Sequence, residues 1–243
     1  MIHRISGIAA AIFLAGILQA ATPVVVELFT SEGCSSCPPA DRVLSRLPAA
    51  FSDIEVIPLS EHVDYWNQLG WQDRFSAPLY SMRQQDYGRI FRLENVYTPE
   101  MVVNGQAEFN GSDENRAQQE IRKAAQSLRA DLEMAMQSKD IVHLKVEHLP
   151  PGTRNADIFL VITETSVETA VRGGENSGRR LRHTGVVRSL SNVGRLETKK
   201  ASVFSAEARI NLHTDWNVEN VKLVLFVQDR SNRKIVGATT LRP

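Results

Sequence analysis

The sequence predicts a mixed α/β domain in its first half and an all-β sandwich in its second. Three observations carry that reading. Over residues 21–137, short β-branched runs alternate with segments whose apolar residues recur at helical spacing. Beyond Ser138 the helical period disappears, and short runs are separated by turn signals. Between the first run and the first helical segment lie the only two cysteines of the 243 residues, Cys34 and Cys37.

Met1-Ile2-His3-Arg4 places one positive charge on a short start, and an apolar run from Ile5 to Leu18 follows. With Gln19-Ala20-Ala21 after it, this is the three-part pattern of a secretory signal, expected to be cleaved after Ala20. The run is shorter than the roughly 20 residues a spanning helix needs, so no membrane span is expected after cleavage. The mature chain is therefore expected in the periplasm or outside the cell, where disulfides persist.

Pro23 to Thr30 reads as a strand buried on both faces. After the cysteines, Ala40, Val43, Leu44 and Leu47 predict a helix ending near Leu47. Asp53 to Leu59 reads as a second strand, and Leu79, Met82, Tyr87, Ile90 and Phe91 as a second helix. Met101-Val102-Val103 runs into Asn104-Gly105, a dipeptide suited to a tight hairpin turn, with Phe109 starting the partner strand. Ser112 is the expected N-cap of a third helix, with a stripe from Ala117 through Ile121, Ala124, Ala125 and Leu128 to Leu132. In the second half, residues 141–147, 157–164, 203–212 and 221–228 read as strands of a sandwich over residues 138–243. Pro150-Pro151-Gly152, Gly173-Gly174 and Ser231-Asn232 mark turns between them.

Charge narrows the function classes. Acidic and basic residues balance at 28 each with no long run of one sign, unlike the footprint of a nucleic-acid binder. There is no G-x-S-x-G element, no phosphate-cradling glycine loop and no H-E-x-x-H. The cysteines carry the chemistry. A bridge across so small a ring stabilises by only roughly 2 kcal/mol through chain entropy, so a purely structural staple explains the pair poorly. Strand, C-x-x-C, helix is an order that favours a thiolate at a helix N-terminus. Cys34 is the expected attacking thiolate and Cys37 the resolving one, with Ser35 and Ser36 as donors to the sulfur. Such a pair requires no cofactor beyond its own disulfide. Its expected partners are exported protein thiols or small thiols, with an unidentified redox partner.

Strand, C-x-x-C and helix, followed by Thr98-Pro99 just before a strand, resemble the thioredoxin superfamily. The resemblance implies a thioredoxin-like α/β domain ahead of the sandwich, a cis-proline at Pro99 and substrate contact at Thr98. More closely, Glu27-Leu28-Phe29-Thr30-Ser31-Glu32-Gly33-Cys34-Ser35-Ser36-Cys37-Pro38-Pro39-Ala40-Asp41 resembles the secreted bacterial family called domain of unknown function 1223. His62-Val63-Asp64-Tyr65-Trp66, Leu69-Gly70-Trp71, Val102-Val103-Asn104-Gly105, Gly174-Glu175-Asn176 and Phe226-Val227-Gln228-Asp229 are similar to the same family. Two departures from thioredoxin stand out. Its buried strand acid is matched only by Glu27, one residue further from the first cysteine. The Cys37–Thr98 interval is also longer, the surplus being an aromatic insertion over residues 61–78.

That insertion follows the second strand, whose carboxyl end should face the cysteines. His62 is thus a candidate to stabilise the Cys34 thiolate or move a proton, with Asp64 orienting it and Trp66 restricting access. Two alternatives from other classes stand beside thiol exchange. One is a copper-binding module in which Cys34, Cys37 and His62 hold Cu(I), which soft sulfur ligands suit. The other is an interaction scaffold built on the sandwich, with a vestigial dithiol. Arg172, Arg179, Arg180, Arg182, His183 and Arg188 read by default as a solvated basic hairpin, with an anion-binding surface or a polar domain interface as the alternatives.

Overall fold

Thr22–Thr30 forms strand β1 because its β-branched run is apolar on alternate positions toward two different layers. The computed structural model describes residues 21–243, and the expected leader, residues 1–20, lies outside them. After β1 come α1 (Cys37–Arg46), β2 (Ile54–His62), α2 (Pro78–Phe91), β3 (Glu100–Val103), β4 (Ala107–Asn110) and α3 (Glu114–Ala125). The remaining strands are β5 (Asp131–Ser138), β6 (Ile141–Glu147), β7 (Asn155–Glu164), β8 (Val167–Ala170), β9 (Arg180–His183), β10 (Val186–Glu197), β11 (Val203–Arg209), β12 (Val221–Asp229) and β13 (Ile235–Leu241).

The predicted class, a thioredoxin-like α/β domain followed by a separate sandwich, is not the observed architecture. One mixed sheet of eight strands, in the order β13-β12-β7-β10-β2-β1-β3-β4, draws strands from both halves, and among the described residues three α-helices accompany thirteen strands. β10 closes the gap by pairing with β2 through Val186 and Ser60. The physical reason lies in β7 and β12, which are apolar on both faces. Ile158, Leu160, Leu223 and Leu225 pack under the three-stranded sheet β11-β6-β5. Phe159, Val161, Val224 and Phe226 point the other way and share a core with Val25, Ile57 and Leu59 of the first half. A free-standing sandwich would leave that second face wet.

Since Val25 and Phe226 lie on the same sheet and in the same core, the sheet curls back on itself, as the twist of a long mixed sheet permits. Its ends meet at the β3–β4 turn. Ile235 N of β13 donates to Asn104 O (2.9 Å), while Asn104 exchanges backbone and side-chain bonds with Val25. Asn104 and Gly105 both have positive φ (51° and 66°), as the turn chemistry predicts. Gly105 is required for a second reason, because a Cβ there would sit 2.0 Å from Arg233 O.

On the other face of β1 and β2, α1 and α3 cover Val24, Val26, Leu28, Ile54 and Val56. α1 starts at Cys37, with Pro38 and Pro39 in its first turn, where their missing N–H groups cost no intrahelical bond. α3 is capped by Asp113, one residue beyond the expected Ser112, and ends at Ala125. The supposed end of its stripe, Leu132, belongs instead to β5.

Candidate functional site

β1 and β2 run parallel, with Thr30 beside His62 at their carboxyl ends. The chain leaving β1 turns through Ser31 and Gly33 into Cys34, then enters α1 at Cys37. Cys34 and Cys37 are joined as a disulfide. The Thr98-Pro99 peptide is cis and lies alongside, with Cys34 Sγ 3.9 Å from Thr98 O. Ser36 Oγ is 3.3 Å from the same sulfur and 3.5 Å from Thr98 O. Trp66 Nε1 donates to Thr98 Oγ1 (2.9 Å). The residues read from sequence as cysteine pair, serines, Thr98, Pro99 and Trp66 therefore gather in one place. Both cysteines are nevertheless fully buried, while Ser35 and Ser36 are exposed.

A turn from the second half clasps this loop. The Asn176 side chain, buried, donates to Glu32 O (2.9 Å) and Cys34 O (2.8 Å). Glu175 Oε2 accepts from Ser35 N (3.0 Å), and Ser35 holds that carboxyl below its ordinary pKa through side chain and backbone. The turn can approach because Gly173 packs on Gly70, where a Cβ would lie 2.3 Å from the Gly70 carbonyl. The match of Gly174-Glu175-Asn176 to the family pattern was the one sequence signal for this contact.

Beneath the loop is a buried charged cluster. His62 Nδ1 pairs with Asp73 Oδ2 at 2.6 Å, and Asp73 also accepts from Glu32 N and Phe75 N. Burial opposes ionisation of Asp73, but the His62 ring and those two N–H groups outweigh it and bring its pKa down to about 2. Asp64 does not orient His62, since it bonds Ser81 instead. The ring of His183, from β9, stands edge-on to His62 with centroids 4.8 Å apart. Its nitrogens lie 3.5 Å from Glu32 Oε1 and 3.6 Å from Asp41 Oδ2, ion-pair distances rather than hydrogen bonds. Burial would lower its pKa, yet Asp41 and Glu32 push it up to about 10. His183 is thus buried, whereas Arg172, Arg179, Arg180 and Arg182 beside it are exposed. No sequence signal marks Asp73. Glu32 and Asp41 stand in the family-like motif without an assigned role, and His183 reads from sequence as part of a solvated hairpin, because no spacing links the four.

Glu27 points away from this cluster. It faces α2, where Arg83 Nε (2.6 Å) and Tyr87 OH (2.5 Å) donate to it, and Gln228 joins from β12. Thr30, on the opposite face of β1, bonds Asp41 of α1. Glu61 shares the Arg83 side, where burial and the neighbouring Glu27 hold it well above the carboxylate range. Among the described residues, no three His, Cys, Asp or Glu side chains are grouped to hold a metal ion. Cys34 and Cys37 are tied up in their disulfide, and His62 pairs with Asp73 through Nδ1 and leaves its buried Nε2 without a partner among the described residues.

A family model described as "Protein of unknown function (DUF1223)" matches residues 25–228. The crystal structure of protein AGR_C_4864 from Agrobacterium tumefaciens is similar, with a TM-score of 0.70 and 27% identity over 91% of this chain and 94% of that one. A domain of the outer membrane lipoprotein Omp28 from Porphyromonas gingivalis matches 47% of this chain and 88% of its own at 10% identity, but its TM-score of 0.27 carries no argument. No curated protein matches the chain. No helix among the described residues is long and apolar enough to cross a membrane.

Proposed function

The chain belongs to the DUF1223 family of proteins of unknown function, and we propose that it is an exported thiol–disulfide exchange protein whose working couple is Cys34–Cys37. One observation carries this reading. The only two cysteines of the chain form a minimal ring at the start of α1, with Cys34 Sγ beside the carbonyl that precedes a cis-proline. The expectation of export rests on the leader-like pattern of residues 1–20.

In the exchange, a Cys34 thiolate attacks one sulfur of a substrate disulfide, and the other leaves as a thiolate. Cys37 then attacks Cys34, restoring the internal disulfide and releasing the second substrate sulfur. Two electrons and two protons pass to the substrate, and the reverse sequence oxidises a dithiol. Thr98 and Trp66 border the site, and the full burial of Cys34 selects small thiols or an extended segment slipping over Ser35–Ser36. In this reading Asn176 and Glu175 must loosen for a larger partner to reach the sulfur.

The test is a reduced Cys37→Ala variant incubated with glutathione disulfide or an oxidised peptide. Mass spectrometry is expected to find a mixed disulfide on Cys34 of the folded protein, absent from Cys34→Ala. An adduct that forms only after denaturation would discard the proposal.

A further inference from the structure

We infer that this couple is biased toward its disulfide, so that the dithiol form donates electrons to other disulfides and rarely takes them from thiols. The inference rests on the exchange reading and adds its direction. A pair becomes oxidising when its reduced form is stabilised, chiefly by backbone N–H groups and positive charge at the attacking thiolate. Around Cys34 those donors are withdrawn one by one. Pro38 and Pro39 have no N–H to offer in the first turn of α1. Cys37 N is spent on Cys34 O (3.2 Å), and Ser35 N on Glu175 Oε2 (3.0 Å). Ser36 remains, and its hydroxyl is shared between the sulfur and Thr98 O. The carbonyl of Thr98, 3.9 Å from Cys34 Sγ, accepts from a thiol but repels a thiolate.

The charges act in the same direction. Glu175 brings a carboxylate onto the loop between the cysteines, Glu32 lies two residues before Cys34, and Asp41 follows Cys37 by one turn on the buried face of α1. Of the two buried rings facing these acids, His183 is held between Glu32 and Asp41, and His62 is paired with Asp73. Arg179 is turned to Asn176 Oδ1 (3.0 Å). The net field disfavours an anionic sulfur.

In the donating direction, the Cys34–Cys37 bond forms as a substrate disulfide breaks, and two thiols leave with the two protons of the dithiol. The oxidised pair must then be reduced by a second dithiol protein or small dithiol of lower potential, which is the partner class implied.

The experiment equilibrates the folded mature chain, its Glu175→Gln variant and its Pro39→Ala variant with graded dithiothreitol buffers, and reads the dithiol fraction by alkylation. Glu175→Gln keeps an acceptor for Ser35 N but drops the charge, and Pro39→Ala restores an N–H on another element. Each is expected to shift the equilibrium toward the dithiol by about three- to tenfold, about 15–30 mV for a two-electron couple. No shift, or a shift toward the disulfide, in both variants overturns the inference while leaving exchange intact. A disulfide that no thiol reaches in the folded chain overturns the exchange reading, and this inference with it.

Discussion

His183 decides much of the pH behaviour at the scale of single residues. Its folded pKa of about 10 lies above the ordinary 6.5, so the native state holds this proton more tightly than the unfolded chain. The stabilisation is complete below pH 6.5 and is lost as pH rises toward 10. Glu100 acts with the same sign, since burial pushes its carboxyl up to about 8 from 4.5 and the native state keeps a proton that the unfolded chain releases. Unfolding free energy measured in urea is therefore expected to fall from pH 4.5 upward, through Glu100 up to about 8 and through His183 from 6.5 to 10, and His183→Gln to flatten the part of the slope between pH 8 and 10. An unchanged slope in the variant would remove His183 from the account. Asp73 has the opposite sign, with a contribution present above pH 3.8 and lost as pH falls toward 2. Asp73→Ala strands the buried His62 ring and two backbone N–H groups, and should cost about 3 kcal/mol in the same assay. None of these partners was legible in the sequence. His62 and Asp73 sit 11 residues apart in an irregular segment, and His183 comes from another strand altogether.

At the scale of elements, periodicity served wherever one face is buried. The alternation of residues 141–147 matches β6 residue for residue, because Val142, Leu144 and Val146 face the core and His143 and Lys145 do not. The same reasoning gave no signal for β8, β9 or β10. β8 and β9 pair only with each other and have exposed charged positions, and most of β10 between Arg188 and Arg195 is only partly buried. The predicted stripe of the third helix runs to Leu132 and so takes in the start of β5, because leucine is a good helix former and its strand role here comes only from packing on the large sheet. Turn chemistry was more reliable, as Asn104-Gly105 shows. Gly105→Ala adds a Cβ in a left-handed conformation against Arg233 O, and should destabilise the chain by about 2–3 kcal/mol in thermal or urea unfolding. A neutral outcome would mean that the β3–β4 turn does not hold β13.

At the scale of the whole molecule, the error in the predicted class has one source. Residues such as Phe159 and Phe226 read as strand positions, but nothing local says that the layer covering them is β1, β2 and α2 from 100 residues earlier. Because that core joins both halves, the full chain is expected to melt in one transition seen alike by near- and far-ultraviolet circular dichroism. A fragment ending at Gln137 is expected to lose the fold, and a cooperative melt of that fragment would contradict this. The clasp of Asn176 and Glu175 on the cysteine loop also depends on this union of the halves, so the candidate site exists only in the intact molecule. Thiol exchange at this site requires that a buried disulfide open for chemistry without the chain unfolding. The direct measurement is the rate of Cys34–Cys37 reduction by dithiothreitol in the native protein, set beside the rate of global unfolding. Reduction at least a hundredfold faster than unfolding, and first order in dithiothreitol, is the expected result. Reduction that merely follows unfolding, independent of thiol concentration, would make the pair a structural staple.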